Sequence, residues 1–119
     1  MDTVLIVDDN PHICDMLTEF CSFAGRPALR AEEGFEAVRL FRENQHKIGM
    51  VILDMTLPGM SGAQVFWALR QIKPQIKVIL SSGSSRLIDT RPFPEDELTA
   101  FLPKPYSIEK LTALFDKFS

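Results

Sequence analysis

The stretch Met50-Val51-Ile52-Leu53-Asp54-Met55-Thr56-Leu57-Pro58-Gly59-Met60-Ser61-Gly62 decides the fold. Its four leading apolar residues are too few for a free-standing helix and read as a strand buried on both faces. That run stops on a carboxylate, Asp54. Leu57-Pro58-Gly59 then signals a turn, because proline fixes φ and glycine accepts the positive φ of a tight reversal. Ser61 is suited to cap a following helix, since Val65, Ala68, Leu69 and Ile72 recur at helical spacing. Asp54 therefore ends a central strand on the side where the chain leaves for a helix, and ligands of open α/β sheets collect at such strand ends. Taken alone, it reads equally well as a cap or turn residue.

Outward from this stretch the pattern repeats. Thr3 to Val7 is an apolar strand running into Asp8-Asp9, and Asn10-Pro11 opens a helix with a cap and a first-turn proline. Ile13, Met16, Leu17, Phe20 and Ala24 give that helix an apolar face, and Gly25 ends it. Pro27 to Ala31 is a weaker strand, placed near an edge by its proline. Gly34 to Arg42 reads as a second helix through Phe35, Val38 and Phe41, with Gln45 to Gly49 connecting to the central strand. Beyond the third helix, Ile76 to Ser81 is a fourth strand and Phe101-Leu102 a short fifth. Ser107 caps a last helix bearing Ile108, Leu111, Leu114, Phe115 and Phe118 on one side. Strands alternating with helices predict a doubly wound α/β fold, a five-stranded parallel sheet covered on both faces. One place breaks the rhythm: Pro92 and Pro94 interrupt the helix expected between the fourth and fifth strands, at about 3 kcal/mol each inside a helix. That fourth helix is expected to be short, displaced or disrupted, with Glu95-Asp96-Glu97 solvated.

Size and charge narrow the class. The 119 residues form one domain, 1–119, and 45% hydrophobic residues suffice for a core. A net charge of −3 argues against direct nucleic-acid binding. No apolar run approaches the ~20 residues that cross a bilayer, and Met1-Asp2-Thr3-Val4 lacks a basic secretory start. Cys14 and Cys21 lie roughly 10 Å apart along one helix, too far for a disulfide, which points to reduced thiols and the cytoplasm. His12 and His46 share no ligand spacing and read as surface residues.

In a parallel sheet the strand ends bring Asp8, Asp9, Asp54 and Ser81-Ser82 to one edge, with Lys104 following the fifth strand. Each has a plain reading: a capping pair, a polar strand end, a surface lysine. Together they are harder to dismiss. Two unit charges 4 Å apart repel by roughly 4 kcal/mol at an effective dielectric near 20, so clustered carboxylates raise a pKa or hold a cation. All-oxygen ligands suit Mg²⁺, and Lys104 can meet a carboxylate or a phosphoryl oxygen.

This pattern resembles the response-regulator receiver domain, the CheY-like phosphoacceptor module of two-component phosphorelay signalling. The resemblance rests on Val4-Leu5-Ile6-Val7-Asp8-Asp9-Asn10, on Val51 to Gly62, on Val78-Ile79-Leu80-Ser81-Ser82-Gly83 and on Lys104-Pro105-Tyr106, and covers essentially the whole chain. It implies a flavodoxin-like strand order of 2-1-3-4-5. It also implies that Asp54 is the phosphoacceptor, and that Asp8, Asp9, Asp54 and the backbone carbonyl of Thr56 hold Mg²⁺, Asp8 through water. Ser82 becomes the switch hydroxyl, preferred to Ser81 because the small Gly83 follows it. Lys104 pairs with the phosphoryl group, Phe101 takes the place of the switch aromatic, and the Lys104-Pro105 bond is cis in the family. The donor would be a phosphohistidine on a histidine kinase or phosphotransfer protein, attacked by the Asp54 carboxylate with Mg²⁺ and Lys104 balancing charge. Such a chain is a phosphoacceptor that assists its own phosphorylation and dephosphorylation, rather than an enzyme. Thr56 and Ser84 flank the phosphoryl approach and are expected to tune its loss. The family's usual pairing face is expected to be altered by the two prolines.

Rival classes are weaker. A receiver-like interaction module working without phosphorylation would be expected to lack an acidic residue or the lysine, and all are present. A haloacid-dehalogenase-type phosphatase needs an Asp two residues beyond its nucleophile, where this chain has Thr56. Loops for a flavin are not evident. With no effector domain after the last helix, the chain is expected to be a free-standing regulator or the receiver of a hybrid histidine kinase. Ser82-Gly83 and Phe101-Leu102-Pro103-Lys104-Pro105 lean towards the second.

Overall fold

A computed structural model describes residues 2–82, 93–94, 96–104 and 106–118. Its elements follow in the order β1 (Thr3–Val7), α1 (Pro11–Phe23), β2 (Ala28–Ala31), α2 (Gly34–Asn44), β3 (Ile48–Asp54), α3 (Gly62–Ile72), β4 (Lys77–Ser82), β5 (Thr99–Pro103) and α4 (Ile108–Lys117). All five strands are parallel and lie in the order β2-β1-β3-β4-β5. The sheet order and layers are those expected. Four helices occur among the described residues. The stretch that was to carry the shortened fourth one, 83–92, lies outside them, with Gly83, Ser84 and Pro92. The pairing surface expected there and the geometry at Pro105 also fall outside.

Alternation along the buried strands sends side chains to two separate cores. Leu5, Val7, Val51, Leu53, Val78 and Leu80 meet α2 and α3 through Ala37, Phe41, Val65, Phe66 and Leu69. Val4, Ile6, Met50, Ile52, Ile79 and Leu102 meet α1 and α4 through Cys14, Leu17, Cys21, Leu111, Phe115 and Phe118. The two thiols are thus the centre of the α1 stripe, free and buried, and burial pushes Cys21 up to about 11. Met16 belongs to the exposed side of α1, off the stripe set by Cys14, Leu17 and Cys21. Phe35 and Ile108 are exposed as well, both in the first turns of their helices. The connector expected through Gly49 is shorter, because β3 already pairs with β1 at Ile48.

Local chemistry sets the helix starts. Asn10 Oδ1 accepts the N–H groups of His12 and Ile13, with Pro11 opening α1. Glu33 caps α2 through the Glu36 amide. Ser61 and Gln64 form a reciprocal capping box on α3. Gly59 takes φ +79°, which the turn after Asp54 requires.

Asp96 and Glu97 are exposed as expected and Glu95 lies outside the described residues, but Asp96 also pairs with a buried cation that the hydrophobic pattern of α3 concealed. Arg70 donates from Nε to the Ile76 carbonyl at 2.9 Å and from Nη2 to the Leu98 carbonyl and the Thr99 hydroxyl, each at 3.0 Å. Its Nη1 meets Asp96 Oδ2 at 3.1 Å, and its guanidinium lies 4.7 Å from the Phe66 ring centroid. Arg70 therefore fastens the entry to β5 onto the end of α3. Phe93 is also buried on this side, edge-on to Phe66 at 5.2 Å and to Phe101 at 6.1 Å. Among the described residues no helix is long and apolar enough to cross a membrane.

Candidate phosphoacceptor site

Three adjacent strands, β1, β3 and β4, end together. Val7 pairs with Leu53, Leu53 with Leu80, and Asp54 with Ser81, so the residues that follow β1 and β3 leave the sheet at one edge. The Met55 amide donates to the Ser81 carbonyl at 2.8 Å, and the Lys104 amide to the Ser82 carbonyl at 3.1 Å. These bonds lock the exits of β3 and β5 against β4.

At that edge the carboxylates converge. Asp8 and Asp54 are buried and Asp9 is exposed, and each offers an oxygen lying within 4.8 Å of the others'. Asp8 Oδ1 accepts the Asn10 amide at 2.9 Å, and Asp54 Oδ1 accepts the Thr56 amide at 2.9 Å. Their second oxygens share one cation: Lys104 Nζ stands 2.8 Å from Asp8 Oδ2 and 3.3 Å from Asp54 Oδ2. Apart from that ion pair, Asp8 Oδ2 has no hydrogen-bond partner among the described residues.

The charges respond to this crowding. Burial raises the Asp54 carboxyl above its ordinary value, outweighing the Thr56 amide and the Lys104 charge, and the neighbouring Asp8 adds to the rise. For Lys104 burial works downward, but the carboxylates of Asp8 and Asp54 prevail and hold the ammonium above its usual value. One lysine does not neutralise three carboxylates. A buried carboxylate oxygen held, among the described residues, only by an ammonium shared with a second carboxylate, in an all-oxygen donor set, fits a hard divalent cation, and Mg²⁺ binding through one or two carboxylates is the usual form of such a site.

Thr56, Ser82 and Phe101 were also expected at the site. Thr56 is exposed, two residues beyond Asp54, with its amide on the carboxylate. Ser82 is buried at the end of β4, paired in register with Pro103. Phe101 lies on β5 with 38% of its surface exposed, its ring turned edge-on to Phe93. Tyr106 had no role beyond its place in the Lys-Pro-Tyr triplet; its hydroxyl bonds Ser81 Oγ at 2.7 Å, and burial pushes the phenol up to about 12. The sequence signal for that pair was only a hydroxyl on each side of the site. An open groove of about 400 Å³, lined from the last turns of α1 and α4 by residues such as Phe23 and Phe115, shares none of the acidic cluster.

Comparison with known proteins agrees with this arrangement. The family model described as response regulator receiver domain matches residues 4–116. The sensor kinase CckA of Brucella abortus is 31% identical over 109 residues, 92% of this chain but 12% of that protein's length. A response regulator receiver domain protein from Clostridium thermocellum superposes with a TM-score of 0.88 at 26% identity, over 99% of this chain and 94% of that one. The response regulator TrrA of Thermotoga maritima, solved in complex with Mg(2+)-BeF, gives 0.84 at 28% identity over the whole of both chains.

Proposed function

The chain belongs to the response regulator receiver domain family, and from that premise we propose that it accepts a phosphoryl group on Asp54 and changes conformation to pass on a signal. The observation that carries this reading is a buried Asp54 carboxylate set against Asp8, Asp9 and the ammonium of Lys104 at one strand edge. Its donor is a phosphohistidine on a histidine kinase or phosphotransfer protein. The setting is cytoplasmic, as a free-standing regulator or as the receiver of a hybrid kinase. The TrrA complex with Mg(2+)-BeF and the resemblance to CckA support the ion and the kinase link by analogy.

The residues divide the work. An Asp54 carboxylate oxygen attacks phosphorus as the bond to the donor's imidazole nitrogen breaks. The imidazole keeps the electron pair, and the product is an aspartyl phosphate. Lys104, already 3.3 Å from Asp54, pairs with the incoming phosphoryl oxygens and offsets their charge. The Thr56 amide holds the other Asp54 oxygen and so fixes the carboxylate plane. Asp8, Asp9, Asp54 and the Thr56 carbonyl would hold Mg²⁺, which when bound neutralises charge on the transferred group. The phosphoryl group adds about one to two negative charges. Ser82 then gains an acceptor and moves inward, and Phe101 turns from its half-exposed position into the space released. This is a two-state element biased by one modification. The protein assists its own phosphorylation and dephosphorylation without acting as an enzyme on a separate substrate.

Incubation with acetyl phosphate, with Mg²⁺ or with EDTA, tests this by intact mass. The wild type should gain one phosphoryl group only with Mg²⁺, and Asp54→Asn none. An equal gain in Asp54→Asn would overturn the assignment.

A further inference from the structure

Lys104 and Tyr106, which follow β5, each make a tie to β4. Its own amide donates to the Ser82 carbonyl at 3.1 Å. Two residues later, the Tyr106 hydroxyl meets Ser81 Oγ at 2.7 Å. Ser81 is the register partner of Asp54, and its carbonyl takes the Met55 amide at 2.8 Å. The Tyr106 bond therefore ends on the residue directly beside the candidate phosphoacceptor.

We infer that Tyr106 and Ser81 are positioning residues for phosphoryl transfer: their hydroxyl pair ties the chain just after Lys104 to β4 and so fixes the Lys104 ammonium between Asp8 and Asp54. This rests on the phosphoacceptor reading and deepens it. A lysine side chain is long and carries about 2 kcal/mol of rotamer entropy, so its aim depends on where its backbone is held. Without the Tyr106 bond the chain around Lys104 keeps the amide bond to Ser82 and loses the tie that follows it. Displacement of a transfer group by about 1 Å can cost up to about a hundredfold in rate. The bland alternative is a tyrosine ring that fills the α1–α4 core and whose buried hydroxyl found the nearest partner.

The two accounts separate in variants that leave the ring in place. Tyr106→Phe orphans the buried Ser81 hydroxyl, and Ser81→Ala orphans the phenol. The double variant removes both groups and so restores polar satisfaction. If the pair only satisfies itself, the singles melt lower, the double recovers, and all three take phosphate from phosphoramidate at the wild-type rate. On our reading the double variant regains its melting temperature but not its rate. Transfer at saturating Mg²⁺ stays roughly five- to tenfold slow in both singles and in the double alike. A second cycle asks whether Tyr106 acts through the lysine. Tyr106→Phe should slow the wild type but add nothing to Lys104→Met. Variants that keep pace with the wild type, or a Tyr106→Phe effect of equal size in the Lys104→Met background, overturn this inference alone. A wild-type protein that accepts no phosphoryl group overturns the phosphoacceptor reading with it.

Discussion

Replacing Lys104 by methionine keeps the length of the side chain and removes the cation placed between two buried carboxylates. At an effective dielectric of 20 its contacts of 2.8 Å to Asp8 and 3.3 Å to Asp54 correspond to gross attractions of about 6 and about 5 kcal/mol. Most of this is offset by the cost of taking three charges out of water. The measurable loss is closer to the ~3–5 kcal/mol typical of orphaning a buried ion-pair partner. For a chain of 119 residues the entropy of unfolding is about 0.25 kcal/mol/K, so melting should fall by about 12–20 °C. The assay is thermal unfolding at neutral pH in EDTA, repeated across a Mg²⁺ titration. Without the lysine the carboxylates attract the ion more strongly, so Mg²⁺ should stabilise Lys104→Met by more than it stabilises the wild type. A variant that melts within about 2 °C of the wild type in EDTA, or the same Mg²⁺ response in both proteins, would refute the electrostatic reasoning.

Other sites give independent outcomes. Arg70→Met removes the cation from Asp96 Oδ2 and leaves the carbonyls of Ile76 and Leu98 without its donors, and should cost about 1–3 kcal/mol in urea unfolding; a midpoint within error of the wild type would contradict the clamp. For Asp96 itself partial burial works upward, but the Thr99 hydroxyl, the Leu98 amide and Arg70 together hold the carboxyl below its ordinary value. Its contribution is therefore present above the unfolded pKa near 3.9 and disappears as pH falls through the lower folded value. Asp96→Asn should accordingly be less stable at pH 7 and show a shallower acid limb, where parallel pH profiles would exclude the linkage. At Gly62 a β-carbon would stand 2.6 Å from Met55 Cα and 2.7 Å from its carbonyl oxygen. Gly62→Ala should thus lose about 1–3 kcal/mol and, by displacing the residue next to Asp54, slow phosphoryl uptake; wild-type stability would show that the turn yields freely.

What was legible in the chain is what hydrophobic period and punctuation encode. The run Met50 to Leu53 with Asp54 at its end predicted β3, and the caps at Asn10 and Ser61 predicted α1 and α3 where they are found. Shared strand ends then implied the meeting of Asp8, Asp9, Asp54 and Lys104, because a parallel sheet leaves them no other edge. Contacts that depend on side-chain reach were not legible. Arg70 carried no signal in the sequence, and its fork crosses from α3 to Asp96 and Thr99. Phe93 sits in a proline-broken segment with no period to place it, yet it is wedged between Phe66 and Phe101. Cys14 and Cys21 were read correctly as reduced thiols on one helix, but whether they faced core or surface was left open, and the structure puts both in the stripe facing the sheet.

The central claim is that Asp54 is the residue that takes the phosphoryl group, and borohydride trapping reads it most directly. An acyl phosphate is reduced by tritiated borohydride, leaving a covalent label at the modified carboxyl. After phosphorylation with Mg²⁺ present, peptide mapping should find that label at Asp54 and nowhere else. Label on Asp8 or Asp9, or none at all in a folded sample supplied with Mg²⁺ and donor, would contradict the account.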